Sequence, residues 1–308
     1  LRSVAADENI DLLTLYALVE PDSVDLVASV PTGTPVVVAV GGLADQVGEQ
    51  RAHLHKIGIP TVTTPSAAAD AVRALVADAD IRATTGPPVA GVSIPDTDAP
   101  LDEDAAKNLL ARLNIATPAR RACGSPEQAH AALAELGGPV VVKVLDAAVS
   151  HKTELGGVHL NIRTPTDLDD ALRSLHGIGA RRYLVETMAP AGLELVVGAR
   201  RDPVFGPIVL LGLGGITAEA LADVAIRLAP LSVIEAAAMR EDLAGRTLLA
   251  GWRGGPVADP AELGALVAAL GGALAANPWL AEIEINPLRV TADGLLALDA
   301  VVVRTEDS

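Results

Sequence analysis

Four lysines occur in the 308 residues, Lys56, Lys107, Lys143 and Lys152, and two of them fall within the stretch Pro139 to Val158. All the remaining positive side-chain charge is Arg. Lysine is a compact point charge suited to a phosphate, so a chain that otherwise writes its cations as Arg points to phosphate chemistry where it keeps Lys. Lys143 sits inside Val140-Val141-Val142-Lys143-Val144, a β-branched run that reads as a buried strand with one charge set into it. The polar segment Ser150-His151-Lys152-Thr153-Glu154 follows, closes on Gly156-Gly157 and returns to a strand pattern at Val158. This is a loop of titratable groups on a strand scaffold. The plainer alternative is a lysine snorkelling from a strand end beside a surface histidine.

A second group of polar residues lies near the C-terminus. In Glu282-Ile283-Glu284-Ile285-Asn286 strand alternation puts Glu282, Glu284 and Asn286 on one face. Asp293-Gly294 is a hairpin signal. A two-residue loop there, or a turn centred on Ala292-Asp293, brings Asp299 to the face of Asn286; a three-residue loop would not. Carboxylate and amide oxygens grouped in this way are hard ligands of the kind Mg²⁺ takes, with phosphate and water completing the shell. The alternative is the solvated face of a hairpin.

The elements that must position these residues are those of an α/β protein. Residues 1–83 alternate strands (Asp11 to Leu18, Pro35 to Val40, Pro60 to Thr64), two of them read as fully buried, with helices over Asp22 to Val30, Ala44 to Ile57 and from Pro65 to about Ala79. Such alternation implies parallel βαβ units. Residues 84–98, rich in Pro, Gly, Thr and Asp, read as a linker. Capped helices open at Asp102 and Ser125. Another helix is expected over Thr164 to His176, then strands at Arg182 to Met188, Leu193 to Arg200 and Pro207 to Leu211, the last two joined by a turn at Arg201-Asp202-Pro203. A single strand is expected from Leu295 to Val303. Neither a Walker A motif nor a dinucleotide fingerprint is present, so any use of ATP proceeds without a P-loop.

Composition excludes several classes. A formal charge of −16 and 2% aromatic residues oppose both a basic duplex-binding surface and an aromatic single-strand platform, so no nucleic-acid partner is expected. The single Cys123 cannot form an internal disulfide, and the first residues lack a signal-peptide core; the cytoplasm is the expected compartment. Gly264 to Leu280 reads as a buried helix rather than a membrane span. The chain does not begin with Met, and its first βαβ series is too short for a complete doubly wound domain. It is expected to start inside a longer protein.

Taken in order, the Pro139 to Lys143 strand, the His151 to Val158 loop, Gly192 to Pro207, Gly212 to Gly215 and Glu284-Ile285-Asn286-Pro287-Leu288 resemble the ATP-grasp portion of the ADP-forming acyl-CoA synthetases, relatives of succinyl-CoA ligase. The resemblance covers residues 99–308. Residues 8–83 resemble, more weakly, the C-terminal half of the flavodoxin-like CoA-ligase domain that precedes ATP-grasp in single-chain members. The fold implied is ATP-grasp preceded by a partial flavodoxin-like parallel βαβ domain. The resemblance further implies ATP/ADP and Mg²⁺ as cofactors. Lys143, Glu186, Glu194, Gly156 and Gly157 would bind ATP, Glu186 lying by adenine and ribose, while Asn286 and Asp299 would hold the metal. His151 would accept a phosphoryl group with Glu284 beside it. The implied reaction joins a carboxylate and CoA at the expense of ATP, through an acyl phosphate and phosphohistidines. CoA and the acid would be engaged by a missing region or partner chain, in an oligomer or hetero-complex. The loop departs mildly from the family's His-Lys-Ser-Asp. The family's CoA-binding Rossmann domain and its other phosphohistidine segment have no counterpart here, and His53 and His55, mid-helix, cannot replace it. Two other readings fit the residues: a nucleotide-sensing module of a protein acyltransferase, and a carboxylate–amine ligase, in which the His151 loop has no purpose.

Overall fold

A computed structural model of the chain describes residues 2–19, 33–84, 86–97, 101–147, 152, 155–215 and 223–305. They form two compact units, Leu1–Ala83 and Thr84–Ser308. The helix expected over Asp22 to Val30 lies outside the described residues.

In the first unit β1 (Leu13–Val19), β2 (Val36–Gly42) and β3 (Thr61–Val62) pair in parallel in that order. Helix α1 (Ala44–Lys56) makes the crossover from β2 to β3 that parallel pairing needs, and α2 (Pro65–Thr84) follows. Strand β2 is an unbroken apolar run because both its faces are covered: Val36, Val38 and Val40 pack with Leu54, and Val37 and Ala39 with Ala68. Strand β1 departs from expectation. Among the described residues only the Leu13 and Val19 face joins a core cluster, while Tyr16 and Leu18 are exposed; the α2 residue Ala68 clusters with Val37 and Ala39 of β2.

The second unit holds two antiparallel sheets. In the smaller, β4 (Arg120–Cys123), β7 (Tyr183–Thr187), β5 (Val140–Val144) and β6 (Val158–Ile162) lie in that order. Helices α4 (Pro126–Leu136) and α5 (Pro165–Gly177) cover one face, joining Val140, Val142, Val144, Tyr183 and Val185 in a core with Ala129, Leu168 and Leu175. The two-residue period of a strand sends Val141, Lys143, Leu184 and Glu186 to the other face. Helix α3 (Glu103–Arg112), capped by Asp102 on the amide of Ala105 at 3.0 Å, contributes Ala106, Leu109 and Leu110 to the larger core.

The larger sheet runs β10 (Val224–Leu228), β9 (Gly206–Leu213), β8 (Leu193–Asp202), β11 (Leu280–Thr291), β12 (Gly294–Ala297), with β13 (Ala300–Arg304) also on β11. The β8–β9 pairing continues to Asp202 opposite Gly206, beyond the expected turn, because the Asp202 carboxylate accepts from the amides of Val204 and Phe205 at 2.9 Å and ties the tip. Helix α6 (Pro260–Ala276) is buried against this sheet; among the described residues no helix is long and apolar enough to cross a membrane. Residues 86–97 carry no helix or strand, yet they are strapped to α6 rather than free. The Asn277 side chain accepts from Ile94 N and donates to the Val92 carbonyl, both at 2.8 Å. Gly91 is required there, since a Cβ would lie 2.1 Å from the Gly272 carbonyl oxygen.

Strands β11 and β12 turn through Ala292-Asp293, with Thr291 opposite Gly294. The strand expected over Leu295 to Val303 is broken at Leu298-Asp299, between β12 and β13. The break has a cause in the site it borders.

Candidate active site

Three of the four lysines meet in one buried cluster. Helix α3 carries Glu103 and Lys107 one turn apart on its buried face. Strands β5 and β7 carry Lys143 and Glu186 as diagonal neighbours on the face turned away from α4 and α5. Lys152 arrives from the β5–β6 connection. One Glu103 oxygen accepts from Lys143 at 2.7 Å and lies 2.8 Å from the Lys107 ammonium; the other accepts from Lys152 at 2.6 Å. The Glu186 oxygens lie 2.6 Å from Lys143 and 2.6 Å from Lys107, one each. The Leu298 carbonyl accepts from both Lys107 and Lys143 at 2.7 Å, which is why the chain leaves strand geometry there. Asp299 places Oδ1 3.5 Å from the Lys152 ammonium. Three ammoniums thus face three carboxylates, and all but Asp299 are buried.

Burial alone would raise the Glu103 carboxyl, but Lys143, Lys107 and Lys152 outweigh it and hold the group well below the usual carboxylate range. Burial would likewise lower Lys143, yet Glu103, Glu186 and Asp299 raise it. Lys107 is pushed down, by burial first and then by Lys143. At Asp299 burial wins: it and the nearby Glu103 raise the carboxyl despite three lysines. A carboxylate held so reluctantly in its charged form gains from a cation.

The residues expected to bind Mg²⁺ come together. The backbone amide of Asn286 donates to the Asp299 carbonyl at 3.2 Å, just beyond the last pair of the β11–β13 ladder, Ile285 with Ala300. The Asn286 amide nitrogen donates to Glu284 at 3.3 Å, which leaves its amide oxygen for another ligand. Glu284 in turn lies beside Glu282, whose carboxyl is raised by burial and by that neighbour. Among the described residues no group of three His, Cys, Asp or Glu could hold a metal alone. One carboxylate and one amide oxygen fit a magnesium ion that brings its phosphates and water with it.

The other expected ligands sit differently. Both Glu186 oxygens are engaged by lysines, so a nucleotide would meet its backbone or a carboxylate released from them. Glu194, on β8, pairs with Arg289 on β11 beside Gly215. Gly156 takes φ +70°, and the Gly157 amide donates to the Lys152 carbonyl at 2.6 Å, closing the loop below Lys152. A Cβ on Gly157 would meet Val144 Cγ1 at 2.8 Å. His151 lies outside the described residues. Sequence reasoning passed over Glu103 and Lys107 as functional residues. Their signal was present: with Ala106 and Leu110 they fall at i, i+3, i+4 and i+7, a charged pair on the apolar stripe of a helix.

The model of the ATP-grasp domain matches residues 94–303, the span that carries this cluster and the β11–β13 ladder. The chain belongs to the ATP-grasp family of ADP-forming acyl-CoA synthetases. It is 34% identical over 213 residues to the beta subunit of ADP-forming acetate–CoA ligase I of Pyrococcus furiosus, covering 66% of this chain and 91% of that subunit. It is 35% identical over 265 residues to a trans-feruloyl-CoA synthase of an unknown prokaryote, covering 81% of this chain but only 37% of that protein. Among solved structures it is similar to the acetyl-coenzyme A synthetase 1 of Ca. Korarchaeum cryptofilum in complex with coenzyme A and Ca-AMPCP, with TM-score 0.64 and 32% identity over 67% of this chain and 93% of that one. The matched span holds both antiparallel sheets of the second unit, and Lys143 and Glu186 of the cluster lie on the face of the smaller sheet away from its helices.

Proposed function

We propose that the chain is the ATP-binding and phosphoryl-transfer portion of an ADP-forming acyl-CoA synthetase, which converts carboxylate, CoA and ATP to acyl-CoA, ADP and phosphate. The observation that carries this reading is the convergence of Lys143 and Lys152 from a strand and its following loop with Asp299 and Asn286 from the opposite sheet. Cations for phosphate and oxygens for Mg²⁺ thereby border one region. Residues 99–308 would form the ATP-grasp domain and residues 1–83 part of a flavodoxin-like CoA-ligase domain, with residues 84–98 between them. Lys143 would contact ATP phosphates, Glu186 and Glu194 the nucleoside side, and the Gly156-Gly157 backbone would let the loop approach closely. Asn286 and Asp299 would hold Mg²⁺, which when bound offsets the charge of the phosphates.

His151 would attack the γ-phosphorus as the bond to the ADP oxygen breaks; ADP departs and the imidazole proton goes to solvent. Glu284 would steady the imidazolium cation that forms on attack, before its proton leaves. Phosphoryl transfer asks mainly for positioning and charge neutralisation, which this residue set suits. A free carboxylate is a poor electrophile, so the phosphoryl group would pass to it, giving an acyl phosphate from which the CoA thiol displaces phosphate, in a region or chain beyond these residues. The protein would therefore work as an oligomer or hetero-complex, in the cytoplasm.

The test is incubation with γ-labelled MgATP, comparing the natural chain with His151→Ala. Acid-labile, base-stable label that disappears in the variant is the expected result. A natural chain that binds ATP but takes up no label under any nucleotide condition overturns the phosphohistidine role.

A further inference from the structure

We infer that Glu103 is a positioning residue of the nucleotide site, acting through Lys143 and Lys152. The inference rests on the nucleotide-binding reading above and goes beyond it, since Glu103 belongs to α3 and to neither of the lysines' own elements.

The geometry is specific. An ammonium has three N–H donors. Lys107 and Lys143 each have three acceptors: a Glu103 oxygen, a Glu186 oxygen and the Leu298 carbonyl, all between 2.6 and 2.8 Å. Lys152 differs. Among the described residues its ammonium makes one hydrogen bond, to Glu103 Oε2 at 2.6 Å, with Asp299 farther off at 3.5 Å. Of the clustered lysines it therefore keeps donors for a phosphate. What fixes its place is the second oxygen of the carboxylate whose first oxygen holds Lys143. A single side chain, fully buried and anchored in the first turn of a capped helix, thus sets the separation of a strand lysine and a loop lysine. Two cations held apart by one rigid carboxylate form a cradle for an oligophosphate. Without it, like-charge repulsion would drive the flexible Lys152 stem outward.

This role differs from simple structural support in what it predicts. If Glu103 acts through the two ammoniums, its loss penalises ligands in proportion to their phosphates. Binding of ATP and AMP by the full chain, measured by titration calorimetry, separates the cases. Glu103→Gln should weaken ATP about 30-fold and AMP less than about threefold, as expected for charge-assisted bonds to the outer phosphates. Lys152→Met should show the same selective loss. The double variant should lose little more than the worse single, because both act along one path. Glu103→Asp, which keeps the charge but shortens the reach, should recover part of the ATP affinity.

Equal loss of ATP and AMP, or losses that multiply in the double variant, overturns the inference while leaving the nucleotide site in place. If Glu103→Gln does not fold, Lys152→Met and Glu103→Asp carry the test, and wild-type ATP affinity in both overturns it. A natural chain that binds neither nucleotide overturns the nucleotide reading, and this inference with it.

Discussion

Replacing Lys107 by Met probes whether the lysine cluster is one charge-balanced unit. Lys107 is fully buried and nearly matches Met in length, so the change creates little cavity and chiefly removes one positive charge from three pairs. Taking one partner from a buried ion pair costs about 3–5 kcal/mol because the other is left uncompensated. Here every acceptor group keeps a lysine, although the Glu186 oxygen that faced Lys107 loses its partner. Glu103 retains Lys143 and Lys152, while Glu186 and the Leu298 carbonyl retain Lys143. The lower end, about 3 kcal/mol, is therefore expected, and at about 2–4 °C per kcal/mol for a unit of this size the midpoint should fall by about 6–12 °C. Tryptophan fluorescence is the suitable probe, because Trp252 and Trp279 both lie in the second unit and report its unfolding alone. The decisive comparison is Lys107→Met with Glu186→Gln. Removing one charge of each sign restores parity, so the double variant should be more stable than Lys107→Met. A single variant within about 2 °C of the natural chain, or a double variant destabilised by the sum of its parts, would refute the reasoning.

Other perturbations test neighbouring parts of the site. Lys143→Met should weaken ATP binding about tenfold, read by calorimetry, by removing a positive charge beside the phosphates, since its three N–H donors are already engaged inside the protein. Asn286→Ala should raise the Mg²⁺ concentration needed for half-maximal ATP binding by about tenfold and leave metal-free nucleotide binding unchanged. Gly157→Ala should loosen the loop, since its Cβ would sit 2.9 Å from the Lys152 carbonyl oxygen; faster hydrogen exchange at Val144 and Gly157 would report this. Acid sensitivity has opposite signs at two carboxylates. Glu103, held low, contributes stability that is complete above its unfolded value of 4.5 and is lost progressively as pH falls below that value toward the lower folded one. Asp299, held high, takes up its proton earlier in the folded chain and works the other way. In urea melts from pH 7 to pH 3, Glu103→Gln should flatten the acid limb and Asp299→Asn should steepen it.

Much of the architecture was legible because local signals agreed with the fold. Val36 to Val40 read as a fully buried strand, Asp102 and Ser125 announced their helices, and alternation put Asn286 on the face of Glu284, to which its amide nitrogen donates. The hairpin turned at Ala292-Asp293, one of two registers that bring Asp299 to Asn286. What was not legible depended on contacts distant in sequence. The break at Leu298-Asp299 is caused by two lysines from α3 and β5 drawing on one carbonyl, and nothing in Leu295 to Val303 records them. The longer β8–β9 hairpin follows from Asp202, whose side chain ties a turn that Pro203 had suggested should begin earlier. Glu103 and Lys107 were readable in principle. They were passed over because an i, i+4 charged pair is usually a solvated face, and only tertiary packing turns this one inward.

The scarcity of lysine located the cluster, and acceptors inside the protein account for part of that choice. Lys107 is sealed on every side and has no donor left for a ligand, so its identity is fixed by the protein's own acceptors. Those acceptors explain the choice of lysine over arginine. Two carboxylates and a carbonyl converge on a single nitrogen from three elements, a tetrahedral demand that one compact ammonium meets and a planar guanidinium fork does not. Lys143 shares the arrangement nearer the surface, and Lys152 keeps only one arm of it. Lys107 and Lys143 each have three internal acceptors, whereas Lys152, among the described residues, has one, with Asp299 beside it. The interior pairs supply rigidity and the outermost lysine supplies capacity for a ligand. On the proposed reading, a nucleotide site would use the same residue type that links the smaller sheet to the Leu298 carbonyl beside the larger one.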